Sequence, residues 1–245
     1  MPRLSCLYLT VGTVSRISKE ILLVLTITFG MSGVRSLLGL IDDLLSTTPL
    51  NEQQETIYDE ASQIGWLDLA LQVTSAATLF AWGLLALFLL GTSMPKMRWS
   101  DWGWGALLAA LIGIPGLGLY LVALQLGLSK EVIPTTDAVE IPVLLLWSAA
   151  NAFGEEVVVV MWFMTRLKQL KWPAWAAIGA SSILRGSYHL YQGISAGFGN
   201  IIMGIVFGFF YYKTGKIWPL VIAHFIIDAV AFVGYLALDL SWLGL

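Results

Sequence analysis

Charge along this chain falls mostly in the gaps between apolar stretches, and that segregation constrains the fold more than any other feature. The stretches occupy residues 20–41, 66–91, 104–127, 141–165, 172–190, 195–212 and 217–238. A helix needs about 20 residues to cross the hydrocarbon core of a bilayer. Within lipid only helices and closed barrels satisfy their own backbone hydrogen bonds. Composition agrees: 58% of residues are hydrophobic and 12% charged, against about 25% charged in an ordinary soluble protein. The expected fold is an all-α polytopic membrane protein. It is a single membrane domain over residues 1–245, with a bundle of about seven transmembrane helices (six to eight).

Loop charges set the orientation. The leader carries Arg3, Arg16 and Lys19, and the loop over 42–64 is acidic, with Asp42, Asp43, Glu52, Glu55, Asp59 and Glu60. Lys96 and Arg98 follow the second stretch. Lys130 stands against Glu131, Asp137 and Glu140 after the third, and Arg166, Lys168 and Lys171 follow the fourth. Lys213 and Lys216 follow the sixth. Basic loops alternate with acidic or neutral ones, which predicts a cytosolic N-terminus. Trp66, Trp99, Trp102, Trp104, Trp172, Trp218 and Trp242 stand near the ends of stretches, as interface anchors do. The glycines of the sixth stretch, among them Gly197, Gly204 and Gly208, predict close helix packing. The expected setting is multi-pass in a cell membrane of bacterial type, with the bilayer as a partner and no nucleic-acid partner.

Ionisable groups inside such stretches are costly and mark function. Glu155 and Glu156 are adjacent in A-N-A-F-G-E-E-V-V-V-V-M-W-F, and the chain's two histidines, His189 and His224, lie in later stretches. His224 and Asp228 are four apart, as are Arg185 and His189, so each pair shares a helix face. Neighbours such as Glu155 and Glu156 diverge around an α-helix, so only one is expected to point fully into a shared centre. A carboxylate beside a histidine is suited to take a proton from water, and a second histidine with a side-chain donor to hold an oxyanion. The same set also suits a divalent metal such as zinc, with Glu155, His189 and His224 as ligands and a position left for water. No H-E-x-x-H motif is present. Arg185 is expected to neutralise one of the acids. Two other uses of these residues stay open: a non-catalytic scaffold or immunity-type binding protein, and a proton-coupled carrier.

The order E-E, then a histidine in a following helix, then H-x-x-x-D, resembles the CPBP family of CAAX-processing and bacteriocin-processing intramembrane endopeptidases, over residues 141–238. The resemblance implies helical membrane proteins that cleave peptide bonds of a peptide or membrane-protein substrate within the bilayer, near the cytosolic side. It implies Glu155 as the base that activates water, Glu156 as the second glutamate of the motif and His189 as partner of the base. His224 and Asp228 would then stabilise the oxyanion. Two positions depart from the pattern: Val160 stands where the motif has arginine, and Arg185 where it has phenylalanine. An arginine lost from one helix and gained on another is a compensating exchange if Arg185 pairs with Glu156. One difficulty accompanies the stretch boundaries. With straight helices at ~1.5 Å per residue, Glu155, His189 and His224 fall at different depths.

Overall fold

The computed structural model describes residues 3–56, 59–133 and 140–237, with side chains described outside 3–13 and 235–237. Asp137 and Trp242 therefore lie outside the described residues. The helices are α1 (Arg3–Ile27), α2 (Phe29–Leu45), α3 (Gly65–Leu90), α4 (Trp99–Gln125) and α5 (Ile141–Glu155). After α5 the same rod continues as a π-helical segment (Glu156–Trp162) and then as α6 (Phe163–Gln169). Completing the chain are α7 (Ala174–Ser187), α8 (Ile194–Thr214) and α9 (Trp218–Ala237). The only sheet among the described residues is a parallel pair, β1 (Gln54–Thr56) with β2 (Glu131–Ile133), in register Gln54 to Glu131.

The all-α polytopic expectation holds, and the spans are unequal. Among the described residues four helical rods are long and apolar enough to cross a membrane: Gly65–Leu90, Trp99–Gln125, Ile141–Gln169 and Ile194–Thr214. The first stretch is not one straight helix. It bends by 50° between Val14–Ile27 and Phe29–Leu45, which raises the number to five if the pair is one span. At the break Thr28 turns its hydroxyl back to the Val24 carbonyl, at 2.7 Å. Such back-bonding competes with the regular ladder and bends helices. The fifth stretch forms α7, of 14 residues, shorter than the seven-span reading assumed, and the seventh forms α9, of 20 residues, about the length a span needs.

The rod Ile141–Gln169 is the axis of the bundle. Two thirds of its most apolar window is buried in protein (67%), against 17–33% for the other three spans, which face lipid on most sides. α3 and α9 pack on α5, α4 packs on α9, and α7 packs on α8. A near-continuous apolar run is what a helix buried all round requires, and Val157, Val158, Val159 and Val160 are fully enclosed. The expected close approach at α8 is present: a Cβ on Gly204 would stand 2.8 Å from the Ser182 Cα of α7. Trp66, Trp99, Trp102, Trp104 and Trp172 are exposed at helix ends, and Trp218 donates to the Pro95 carbonyl at 2.6 Å.

The two ends of the bundle are tied differently. At the basic end Arg166 bonds Glu20 of α1 at 2.7 Å and the Leu89 carbonyl at 2.6 Å. At the other end the Lys130 ammonium lies 2.8 Å from Asp43 and 3.6 Å from Glu55. Its backbone N–H donates to the Gln192 carbonyl at 3.1 Å. Burial pushes the Glu55 carboxyl up, and Lys130 opposes that shift. Gly193, with φ 117°, turns directly over Ser129, where a Cβ would meet the Ser129 Cα at 2.8 Å. A side chain is disfavoured there both by the backbone angle and by the space.

Candidate active site

A hairpin brings the polar residues to one depth. α6 runs on to Gln169, past Arg166 and Lys168, so the turn lies at Leu170–Pro173 and not at Arg166. Glu155 thus stands 14 positions, or about 21 Å, before the end of α6. α7 returns by the same distance, with 14 residues. This corrects the depth mismatch that the stretch boundaries implied. On the far side, α9 starts inside the bundle. Its entry residues Ile217 and Leu220 are fully buried, so His224 needs fewer turns to reach the same level.

The π-helical segment decides how the carboxylates point. A π-turn widens the helix and is common at functional sites. The extended bonding pattern leaves carbonyls to other donors, and Ser181 of α7 donates its hydroxyl to the Val159 carbonyl at 2.8 Å. Glu155 closes α5 and Glu156 opens the π-segment. Both are buried, and both meet the same guanidinium. Arg185 Nη2 donates to Glu156 Oε1 at 2.6 Å, and Nη1 stands 3.4 Å from Glu155 Oε2. The expectation that only one glutamate faces the centre is therefore corrected: at the change of helical pitch both do.

Arg185 is fully enclosed and lies over the Phe207 ring, 5.7 Å from its centroid. A cation this deeply buried needs charged partners, and the geometry is that of the compensating exchange expected for Val160. Val160 itself packs among Leu108, Ala152, Met203 and Phe207.

The remaining contacts divide the acids. The Tyr188 hydroxyl donates to Glu155 Oε2 at 2.6 Å. His224 Nδ1 lies 2.8 Å from Glu156 Oε1, and its Nε2 lies 3.5 Å from Asp228 Oδ1. His189 Nδ1 is 3.0 Å from the Arg185 carbonyl. A carbonyl only accepts, so Nδ1 carries the proton and Nε2 is the basic nitrogen of neutral His189. The imidazole also stacks obliquely on Tyr188, with centroids 4.7 Å apart. Glu155, Glu156, Arg185, Tyr188, His224 and Asp228 thus form one connected cluster, with His189 at its rim through Arg185 and Tyr188. Tyr188 is the member that motif spacing alone does not single out, although it lies three residues from Arg185, on the same helical face.

Burial grades across the cluster. Glu156 and Arg185 are closed off completely, while His189 and Asp228 are only half-buried. The rim residues lie toward the end that carries the β1–β2 pair: His189 leads into the turn held by Leu128–Lys130, and Asp228 is one turn beyond His224 from the Lys213–Lys216 end. By loop charge this is the acidic end, whereas the family resemblance predicts access near the cytosolic, basic end.

The proposed ligand set Glu155, His189 and His224 is otherwise engaged. Glu155 is held by a cation and a phenol, and His189 Nδ1 by a carbonyl. Among the described residues no group of three or more His, Cys, Asp or Glu side chains is arranged to hold a metal ion. A guanidinium bridging both glutamates also disfavours a divalent cation beside it. As placed, these residues do not fit a zinc site.

No curated protein and no solved structure matches the chain. Residues 137–230, which contain Glu155, Glu156, Arg185, His189, His224 and Asp228, match the family model described as Type II CAAX prenyl endopeptidase Rce1-like, and at family level that match supports a CAAX-type intramembrane protease.

Proposed function

We propose that this chain is an intramembrane endopeptidase of a cell membrane, hydrolysing a peptide bond of a membrane-associated or peptide substrate with water activated by Glu155. The observation that carries this reading is the unequal engagement of the two glutamates. Glu156 is bound by Arg185 and His224 on one oxygen and is fully enclosed, which suits an anchor. Both hydrogen-bond contacts of Glu155 fall on Oε2, so Oε1 is the oxygen assigned to take the proton from water. His189 Nε2, the basic nitrogen of that ring, orients the same water. The hydroxide attacks the carbonyl carbon, and the resulting oxyanion accepts from His224 Nε2–H in place of that nitrogen's long 3.5 Å contact with Asp228, while Glu156 holds Nδ1. The proton held by Glu155 passes to the leaving amine as the C–N bond breaks.

A binding protein without catalysis is the second reading. The pairing of Arg185 with both acids favours it, since a buried charged network also specifies a fold, although Arg185 Nε and Glu156 Oε2 have no hydrogen-bond partner among the described residues. One variant separates the two. Glu155→Gln keeps the shape and the Tyr188 contact but cannot accept a proton. In a cleavage assay on purified protein with a peptide library, activity falls by about 10²-fold or more while thermal unfolding stays near wild type. Cleavage that persists undiminished, with lowered heat stability, makes the glutamate a packing element and favours the binding reading.

A further inference from the structure

At the basic end of the bundle, away from the cluster of acids, α1 and the last turns of α3 enclose an open groove of about 570 Å³ lined by Arg16, Lys19, Glu20, Leu23, Val24, Ile27, Leu85 and Leu89, with Ser15 at its lip. Its lining changes character along its length. From Leu23 to Ile27 on α1, and at Leu85 and Leu89 on α3, it is wholly apolar, with Val24 buried as the floor. At the mouth stand two cations and one acid. The acid is spent elsewhere: Glu20 accepts from Arg166 Nε at 2.7 Å and from Trp162 Nε1 at 3.2 Å. Arg16 and Lys19 are exposed and lie three apart on one face of α1, so the mouth carries net positive charge over an apolar trough.

We propose that this groove is a binding site for an anionic phospholipid, its phosphate between Arg16 and Lys19 and one acyl chain along Leu23, Val24, Ile27, Leu85 and Leu89. Basic pockets between membrane helices select acidic headgroups, and the order of the lining, cation then hydrocarbon, follows the order of groups in a phospholipid. A soluble anion matches only the mouth, and a neutral lipid only the trough. The floor residue Val24 and the acid Glu20 belong to the contact by which α1 meets Trp162 and Arg166, so lipid in the groove also braces α1 against the central rod.

The test uses the full chain in detergent, with phosphatidylglycerol and phosphatidylcholine of identical acyl chains offered in competition and read by native mass spectrometry and by thermal shift. Two surface cations give about 30-fold preference for phosphatidylglycerol, about 2 kcal/mol. Arg16→Gln with Lys19→Gln abolishes that preference and leaves the fold intact, since both side chains are exposed. Lys168→Gln with Lys171→Gln removes equal charge from the same end, outside the groove, and keeps the preference. Equal binding of the two lipids by wild type overturns the proposal. So does a preference lost equally in both double variants, which would make it general surface attraction. If inorganic phosphate or glycerophosphoglycerol reproduces the full thermal shift, the site recognises a free anion and the lipid assignment fails.

Discussion

Removing the Arg185 side chain is the sharpest probe of the cluster. In Arg185→Met, two enclosed carboxylates lose their shared cation: Glu156 loses a 2.6 Å donor and Glu155 a 3.4 Å one. His224 remains on Glu156, but no side chain replaces the permanent charge. Breaking a buried ion pair from one side costs about 3–5 kcal/mol, because the partner stays charged and enclosed. The loss concerns Glu156 more than Glu155, since Tyr188 still donates to the latter. Glu156→Gln added to Arg185→Met therefore recovers most of the loss, to within about 1–2 kcal/mol of wild type. The coupling in that double-mutant cycle is then at least about 2 kcal/mol, measured by denaturant unfolding in detergent. Val160→Arg alone forces a long cation into the packing of Leu108, Ala152 and Phe207 and lowers yield, whereas combined with Arg185→Met it restores part of the lost stability. Additive single-variant losses, with coupling below about 0.5 kcal/mol, would refute the view that Arg185 serves as the cation of this site.

A reporter fused after Lys171 reads cytosolic and one placed in the 42–64 loop reads external. The reverse result would overturn the charge-based orientation and turn the half-buried rim of the cluster to the cytosol, as the family resemblance implies. Gly204→Ala drives a methyl against Ser182 and costs about 1–3 kcal/mol in the same unfolding assay, and a neutral outcome would mean α7 and α8 are not packed this closely. Tyr188→Phe removes one hydrogen bond to Glu155, about 1 kcal/mol of stability, and moves the acid limb of any pH–activity profile. A profile unchanged in that variant would remove Tyr188 from the site.

The polar cluster was legible in the sequence because membrane interiors make ionisable residues expensive, so Glu155, Glu156, His189, His224 and Asp228 stood out against valine and leucine. Arg185 was legible for the same reason, and its exchange with Val160 followed from the departure from the motif. Tyr188 was not, because an aromatic near the end of a membrane helix is ordinary and its hydroxyl partner lies 33 residues away. The depth relation failed because charge was taken to end a helix. Arg166 and Lys168 instead continue α6, with Arg166 satisfied by Glu20, a partner 146 residues distant. The bend at Thr28 was equally hidden, since its neighbours on both sides are apolar and span-like.

The π-helical segment makes the central rod two devices in series. At its entry, the rotational phase of the helix aims Glu155 and Glu156 at Arg185; downstream, the phase aims Arg166 at Glu20 and Leu89. An α-helix would lock those two aims together, about 100° per residue. The wide turn over Val157–Val160 absorbs the difference. Because those positions carry the same side chain, taking one valine out barely alters the apolar content of the rod. It would still rotate one half against the other by roughly a quarter turn. A run that looks like the least informative stretch of the chain is thus the part that keeps count.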